Sequence, residues 1–505
     1  MFRSTLIVSI LAALGTGVSF LNQLILARIF GTSAQMDAYL MAISLPLTIS
    51  SLLAGVLNYQ LVPALRHSET TTGGADSLMR SLAWGLGGGA AILSLIGSAA
   101  AIWEMRIMNS GLSAAQLALI VKLAHITWLC LPLAVLGTIF TAGLHIRQRF
   151  AAATLIAALP MAASIVICVL FHSAIGIEAP VWGQFLGYLA MPVGLRLALG
   201  KSRPGQDWTG TWKLLGQAPL ALISVLLFVI YPFSDAIWGS RIGLSAVSYL
   251  GYAQRLLVGF SGLAVVGATT VLFPHLARQA AEGEHQALRR DLGFSLRTML
   301  VCMAPAAAII GVLSVPAVQV LFQRGAFRLS DARALGGLLR PMLAGMVAMS
   351  CMGLVFKGLF ARGQVRAAAV LSLTGSFVYF ALSGLLGSWL GLLGVGYAYA
   401  VSWWLVLFMG LKYLWREVPF WRLLGSGLGF AVRLGAAAAL VAVVAWIGAL
   451  LLPVNSVAGF PRRVLVLIGT GTVALCSYIA FGNGPVALPE VRLLTRQAVK
   501  LARRS

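Results

Sequence analysis

Residues 231–276 read YPFSDAIWGSRIGLSAVSYLGYAQRLLVGFSGLAVVGATTVLFPHL, an apolar stretch of membrane-crossing length whose charged groups are Asp235, Arg241 and Arg255. A charge at the bilayer centre costs about 3 kcal/mol or more, so it is turned inward to a partner or a water-filled cavity. Arg255 lies too far inside its apolar surroundings to reach water from a helix end. A guanidinium gives paired hydrogen bonds to phosphate and stays charged when buried. Arg255 is therefore the leading candidate for binding an anionic substrate; the competing reading is a structural pair with an acid such as Asp235.

The rest of the chain has the same character. Of 505 residues, 60% are hydrophobic and 10% charged, where a soluble domain has roughly 25% charged. The fold class is an all-α polytopic membrane protein. The 55 glycines suit close helix packing in lipid. Continuous rather than alternating apolar runs argue against a transmembrane barrel. The net charge of +23 fits basic residues holding loops on the cytoplasmic side, with some left to attract anionic lipids. No soluble basic domain exists to bind nucleic acid. Cys130, Cys168, Cys302, Cys351 and Cys476 all fall in apolar runs without a CxxC pair and read as packing residues. The histidines are scattered, so no metal site is expected. There is no Walker loop, no HExxH and no close pair of membrane carboxylates. The expectation is a transporter rather than an enzyme, without a cofactor, driven by sodium, protons or membrane potential.

Fourteen runs reach the length needed to span a bilayer, about 20 residues each. They lie near 5–27, 36–62, 80–103, 115–143, 150–172, 179–199, 213–238, 244–274, 293–322, 336–361, 366–387, 389–414, 429–452 and 462–482. The first resembles a signal peptide but lacks a convincing cleavage site, and is read as a retained helix. Basic residues concentrate in alternate loops, among them Arg66, Arg80, Arg147, Arg149, Lys201, Arg278, Arg289, Arg362 and Lys412. That pattern puts both termini in the cytoplasm. The loop with Arg324, Arg328 and Arg333 is the exception.

The chain also repeats itself. GLHIRQRFAAATL from Gly143 parallels GLFARGQVRAAAVL from Gly358; ARIFGTSAQMDAYL from Ala27 parallels SRIGLSAVSYL from Ser240; LVPAL from Leu61 parallels LFPHL from Leu272. The expectation is two parallel six-helix halves, 1–200 and 201–425, with the substrate between them. Two further helices follow in 426–485, then a basic tail, 486–505, along the inner membrane surface. Pro46, Pro132, Pro160, Pro192, Pro305 and Pro316 permit helix kinks. Arg28 and Asp37 flank the turn between the first two runs and could pair as an outer gate, or be a solvated pair worth under about 1 kcal/mol. Asp235 could bind an ion, accept a proton or pair with an arginine such as Arg241. Arg147 and Arg362 occupy matching places; they set topology or attract anionic substrate. Lys122 and Lys357 read as helix-end or snorkelling groups.

These residues carry a resemblance. ARIFGTSAQMDAYLMAISLPLTISSLLAGVLNYQLVPAL, SDAIWGSRIGLSAVSYLGYAQRLLVGFSGLAVVGATTVLFPHLARQAAEGEH, LSVPAVQVLFQRGAFRLSDA and GLFARGQVRAA together resemble the MurJ/MviN family of bacterial lipid II flippases. The resemblance implies a fourteen-helix fold of the MOP exporter superfamily in the bacterial cytoplasmic membrane. It implies outward movement of a polyprenyl-pyrophosphate-linked peptidoglycan precursor by alternating access, beside cell-wall or glycan synthesis proteins. It implies a cationic cavity, and a groove for the lipid tail in the last two helices. Arg255 then matches a cavity arginine, Asp37 an acid at the outer end of the second helix, and Asp235 an acid that helps bind sodium in some members. Thr16, Asn22 and Ser51 stand where the family usually has further cavity arginines, Gln254 and Val258 where it has acids, and Ser383 near an acid of the sodium site. A flippase for an exopolysaccharide or O-antigen lipid-linked glycan is the first alternative. A cation-coupled multidrug exporter is the second.

Overall fold

The computed structural model describes residues 2–71, 74–108, 113–200, 205–261, 285–414, 420–451, 460–483 and 491. The described residues contain no strand. Their helices are α1 (Phe2–Phe30), α2 (Ala34–Thr71), α3 (Ala75–Met108), α4 (Ala114–Ile146), α5 (Phe150–Ala157), α6 (Leu159–Ile175), α7 (Glu178–Leu199), α8 (Trp208–Val229), α9 (Tyr231–Ile242), α10 (residues 246–261), α11 (His285–Val312), α12 (Ser314–Phe322), α13 (Leu329–Ala361), α14 (Val365–Leu390), α15 (Leu392–Leu414), α16 (Phe420–Leu451) and α17 (Phe460–Asn483).

As far as the described residues go, each apolar run is helical, and three of them divide in two. The fifth breaks at Ala158, the seventh at Ile230 and the ninth at Leu313, each just before a proline: Pro160, Pro232 and Pro316. Proline lacks the N–H that an interior turn needs but fits a first turn, so each starts a new helix there. Pro132, Pro192 and Pro305 instead lie inside continuous helices, as does Pro46. Ten segments among the described residues are long and apolar enough to cross a membrane. The eleventh and twelfth runs are separate helices, divided at Gly391 with φ +59°. The eighth run is described only as far as residue 261, and the tail 486–505 lies outside the described residues except Val491.

The chain divides into two compact units, Met1–Tyr252 with Arg324–Phe327, and Ala253–Gln323 with Arg328–Ser505. In the first, α4 packs against α2, α3 and α7, and α6 against α7. In the second, α13 packs against α11 and α15, α14 against α15, and the α16–α17 pair against α11. The same internal register runs through both. Helices α4 and α13 each have 33 residues and start 215 residues apart, at Ala114 and Leu329. They end in the same turn: Arg147 N–H donates to Gly143 O at 3.3 Å, and Arg362 N–H to Gly358 O at 3.3 Å. Gly176 and Gly391 also match, with φ of +58° and +59°.

One matched pair departs in chemistry. Gln148 has φ +56° where the second copy has Gly363 at +67°. A side chain in the left-handed region costs roughly 1–2 kcal/mol, which glycine avoids at some cost in unfolded-state entropy. Gln148→Gly is expected to leave the protein unchanged or stabilise it by up to about 1 kcal/mol. A thermal unfolding curve in detergent checks this; a clear destabilisation would mean that the glutamine side chain makes a contact that matters.

Cys130, Cys168 and Cys351 are buried and fit the packing role, whereas Cys302 and Cys476 are exposed. All five are free thiols. Among the described residues no group of His, Cys, Asp and Glu is arranged to hold a metal ion.

Candidate functional site

The most completely built polar cluster lies in the first unit, where the α1–α2 turn meets the start of α10. Helix α1 stops at Phe30 because Gly31 takes φ +58°, and its N–H returns to Ala27 O at 2.9 Å. Ser33 Oγ accepts from Met36 N–H at 3.4 Å, which starts α2. Asp37 then falls in the first turn of α2 and is buried, 9% exposed. Across from it, Ser245 has φ +68° and precedes the first turn of α10.

Asp37 joins the two elements. Its Oδ2 accepts from Ser245 N–H at 2.7 Å and its Oδ1 from Ser248 N–H at 2.8 Å. Ser248 Oγ also donates to Oδ1. The first N–H groups of a helix have no partner within it, and its positive end favours an anion. The Asp37 carboxylate thus serves α10 as a cap supplied from another helix. Three donors also compensate its removal from water. Ser245 Oγ donates to Thr32 O, so the two turns matched in the repeat touch directly.

A second layer backs this one. Tyr252, fully buried in α10, donates from its hydroxyl to Gly31 O at 2.7 Å. Its ring meets Phe327 edge to face, centroids 5.9 Å apart. Phe327 belongs to the short segment between α12 and α13, and the neighbouring Ala326 N–H donates to Arg28 O at 2.9 Å. Both glycines here are required sterically. A Cβ on Gly31 would lie 2.7 Å from Ala326 O, and one on Gly325 (φ +61°) 2.2 Å from Arg28 O.

The expected Arg28–Asp37 pair is not formed: the Arg28 side chain is exposed and its carbonyl takes the contact, while neutral donors hold Asp37. Ser245, Ser248, Tyr252 and residues 325–327 were not singled out in the sequence, and Arg324 was noted only for its loop charge. The one available signal was serines at 245 and 248, three residues apart at a helix start.

The other sequence candidates lie elsewhere. Arg255 is half-buried on α10, seven residues beyond Ser248 and so about 10 Å further along the helix. Asp235 is buried within α9, 3% exposed, next to Ser234. Arg241 is exposed and stacks on the Trp238 ring, 4.9 Å from its centroid. Lys122 pairs with Glu178 at 2.6 Å, and Lys357 is half-buried on α13.

Arg147 and Arg362 share one task. Arg147 donates to Leu199 O at the end of α7 and to Asp76 Oδ1 at 2.5 Å. Arg362 donates to Leu414 O at the end of α15, at 3.4 Å. Each reaches the carbonyl of the residue 52 positions on. A guanidinium at a helix C-terminus satisfies a carbonyl that the helix leaves open. Arg147→Ala removes this carbonyl contact and the Asp76 ion pair together, and is expected to destabilise by about 1–3 kcal/mol; an unfolding curve in detergent beside that of the parent checks it.

The family model described as "Lipid II flippase MurJ" matches residues 26–467. A lipid II flippase MurJ of Burkholderia cenocepacia is 26% identical over 485 residues, covering 88% of this chain and 90% of the relative. A probable lipid II flippase MurJ of Vibrio cholerae is 23% identical, covering 95% of each. Among solved structures, a lipid II flippase MurJ in an inward closed conformation superimposes with a TM-score of 0.79 at 18% identity, over 95% of this chain and 99% of the other. An inward-facing MATE-family multidrug transporter of the MOP superfamily follows the same fold with a TM-score of 0.58 at 15% identity, over 80% and 94%.

Proposed function

Because this chain belongs to the MurJ family of lipid II flippases, we propose that it moves lipid II outward across the bacterial cytoplasmic membrane by alternating access. The observation that carries this reading is the family match over residues 26–467, nearly the whole chain. The protein is a transporter and catalyses no bond change. With Arg and Lys concentrated in alternate loops, both termini lie in the cytoplasm.

Three devices divide the work. Arg255 receives the pyrophosphate, whose oxygens suit a planar guanidinium. Asp37 and the start of α10 close the outer side, and the cap must come apart when that side opens. Asp235, buried in α9, is the group through which an ion gradient or the membrane potential acts. Depletion of the protein in its host, followed by identification of the lipid-linked glycan that accumulates, tests the reading. Accumulated lipid II with impaired wall synthesis is expected. A different polyprenyl-linked glycan, with wall synthesis intact, would overturn the lipid II assignment and keep the flippase.

A further inference from the structure

In the second unit α16 lies along α11 through a closed apolar seam. Leu434, Ala437, Val441 and Ala445 of α16, Val301 of α11 and Ala474 and Tyr478 of α17 form one buried apolar cluster, and Tyr478 donates to Val301 O at 2.8 Å. One turn before Val301, and on the same face, α11 carries Arg297. One turn before Leu434, α16 carries Phe430. The two meet: the Arg297 guanidinium lies 5.7 Å from the centroid of the Phe430 ring. Arg433 follows Phe430 by three residues, and a helical side chain leans back over the preceding turn. Arg433 thus lies within one turn of the Arg297–Phe430 contact, at the end of the seam.

Both arginines are exposed, and neither pairs with a carboxylate among the described residues. Both lie inside apolar spans, Arg290–Val312 and Gly429–Leu451. At 1.5 Å per residue, Arg297 is about 10 Å and Arg433 about 6 Å past the start of its span. Cations at that depth on an outer face are costly unless an anion meets them. The nearest supply is the phosphate layer of the bilayer itself, which a long side chain reaches by stretching along the helix. The cation–π contact with Phe430 restrains where one guanidinium sits, which favours a defined hydrogen-bond geometry over a loose cloud of charge.

We propose that Arg297 and Arg433, with Phe430 orienting the first, hold the phosphate of one anionic bilayer phospholipid, and that this lipid ties α11 to α16. The apolar side chains close the seam behind the arginines, so the site takes a headgroup from the lipid side rather than passing a substrate between the helices. The proposal is independent of the transport reading.

The test uses the full chain in detergent, with unfolding temperature and retained lipid in native mass spectrometry as readouts. Phosphatidylglycerol is expected to raise the unfolding temperature and remain bound, with phosphatidylcholine much weaker. The double variant R297Q/R433Q is expected to lose most of that response. Equal responses in the variant and the parent, or equal effects of the two lipids, would overturn the proposal. Should the double variant fail to fold, R297K alone decides. It keeps the charge but not the planar fork of donors, and phosphatidylglycerol should bind about tenfold more weakly; unchanged binding overturns the clamp. Undecaprenyl pyrophosphate is the third ligand. Stabilisation by it alone would reject the phospholipid and assign the arginines to the substrate.

Discussion

Asp37→Ala is expected to abolish transport while the protein still reaches the membrane. The substitution leaves Ser245 N–H, Ser248 N–H and Ser248 Oγ without their acceptor. Loss of a helix cap alone costs about 0.5–2 kcal/mol, and each buried donor left unsatisfied about 1–3 kcal/mol. A loss of even ~3 kcal/mol, if it falls on the closed outer side alone, shifts the two-state equilibrium by roughly a hundredfold toward opening. The readout is maleimide labelling of a cysteine placed at Phe327, 2% exposed in the parent, in a background with the native cysteines removed. Labelling should rise sharply with Asp37→Ala. Asp37→Asn should be nearly as damaging, because its amide nitrogen presents a donor where the carboxylate had an acceptor. Ser248→Ala keeps the backbone bond and should be mild. If Asp37→Ala transports normally, the capped α10 is not the outer closure.

Gly325→Val tests the backing layer separately. Its Cβ would lie 2.2 Å from Arg28 O, and that atom is backbone, which cannot swing aside. The φ of +61° adds strain for a β-branched residue. Substitution should displace residues 324–327 from the α1–α2 turn and raise the same labelling, with Asp37 intact. A variant that labels like the parent would show that this segment does not help to close the turn.

Most of the fold was legible in the sequence because burial in lipid demands continuous apolar runs, and such runs announce themselves. The helix breaks were partly legible. Pro160 and Pro316 mark real ends, whereas Pro132, Pro192 and Pro305 do not. Proline identity does not say whether a neighbouring helix makes up for the lost hydrogen bond. The repeat was legible through the turns after Gly143 and Gly358, where tight geometry restricts the choice of residue. The partners of Asp37 were not. Reading side chains alone matches acid to base and suggests Arg28. The true partners include backbone N–H groups at 245 and 248, and every residue but proline has one. Arg147 and Arg362 were obscured in the same way, because their shared acceptors are carbonyls, at 199 and 414.

Arg255→Ala is expected to abolish transport by a different route, and the two losses can be separated. Two charge-assisted hydrogen bonds to a pyrophosphate are worth about 1.5–3 kcal/mol each, so their removal should weaken substrate binding a hundredfold or more. Arg255→Lys keeps the charge but loses the planar fork, and should restore only part of the activity. Asp37→Ala should leave binding of the polyprenyl pyrophosphate near normal and change labelling of the outer turn. Arg255→Ala should do the reverse. Both residues act on α10, which carries Ser248 near one end and Arg255 about 10 Å further on. Normal complementation by Arg255→Ala would remove the arginine from the substrate site. Substrate binding lost equally in both variants would mean that Asp37 supports the binding site as well as the outer closure.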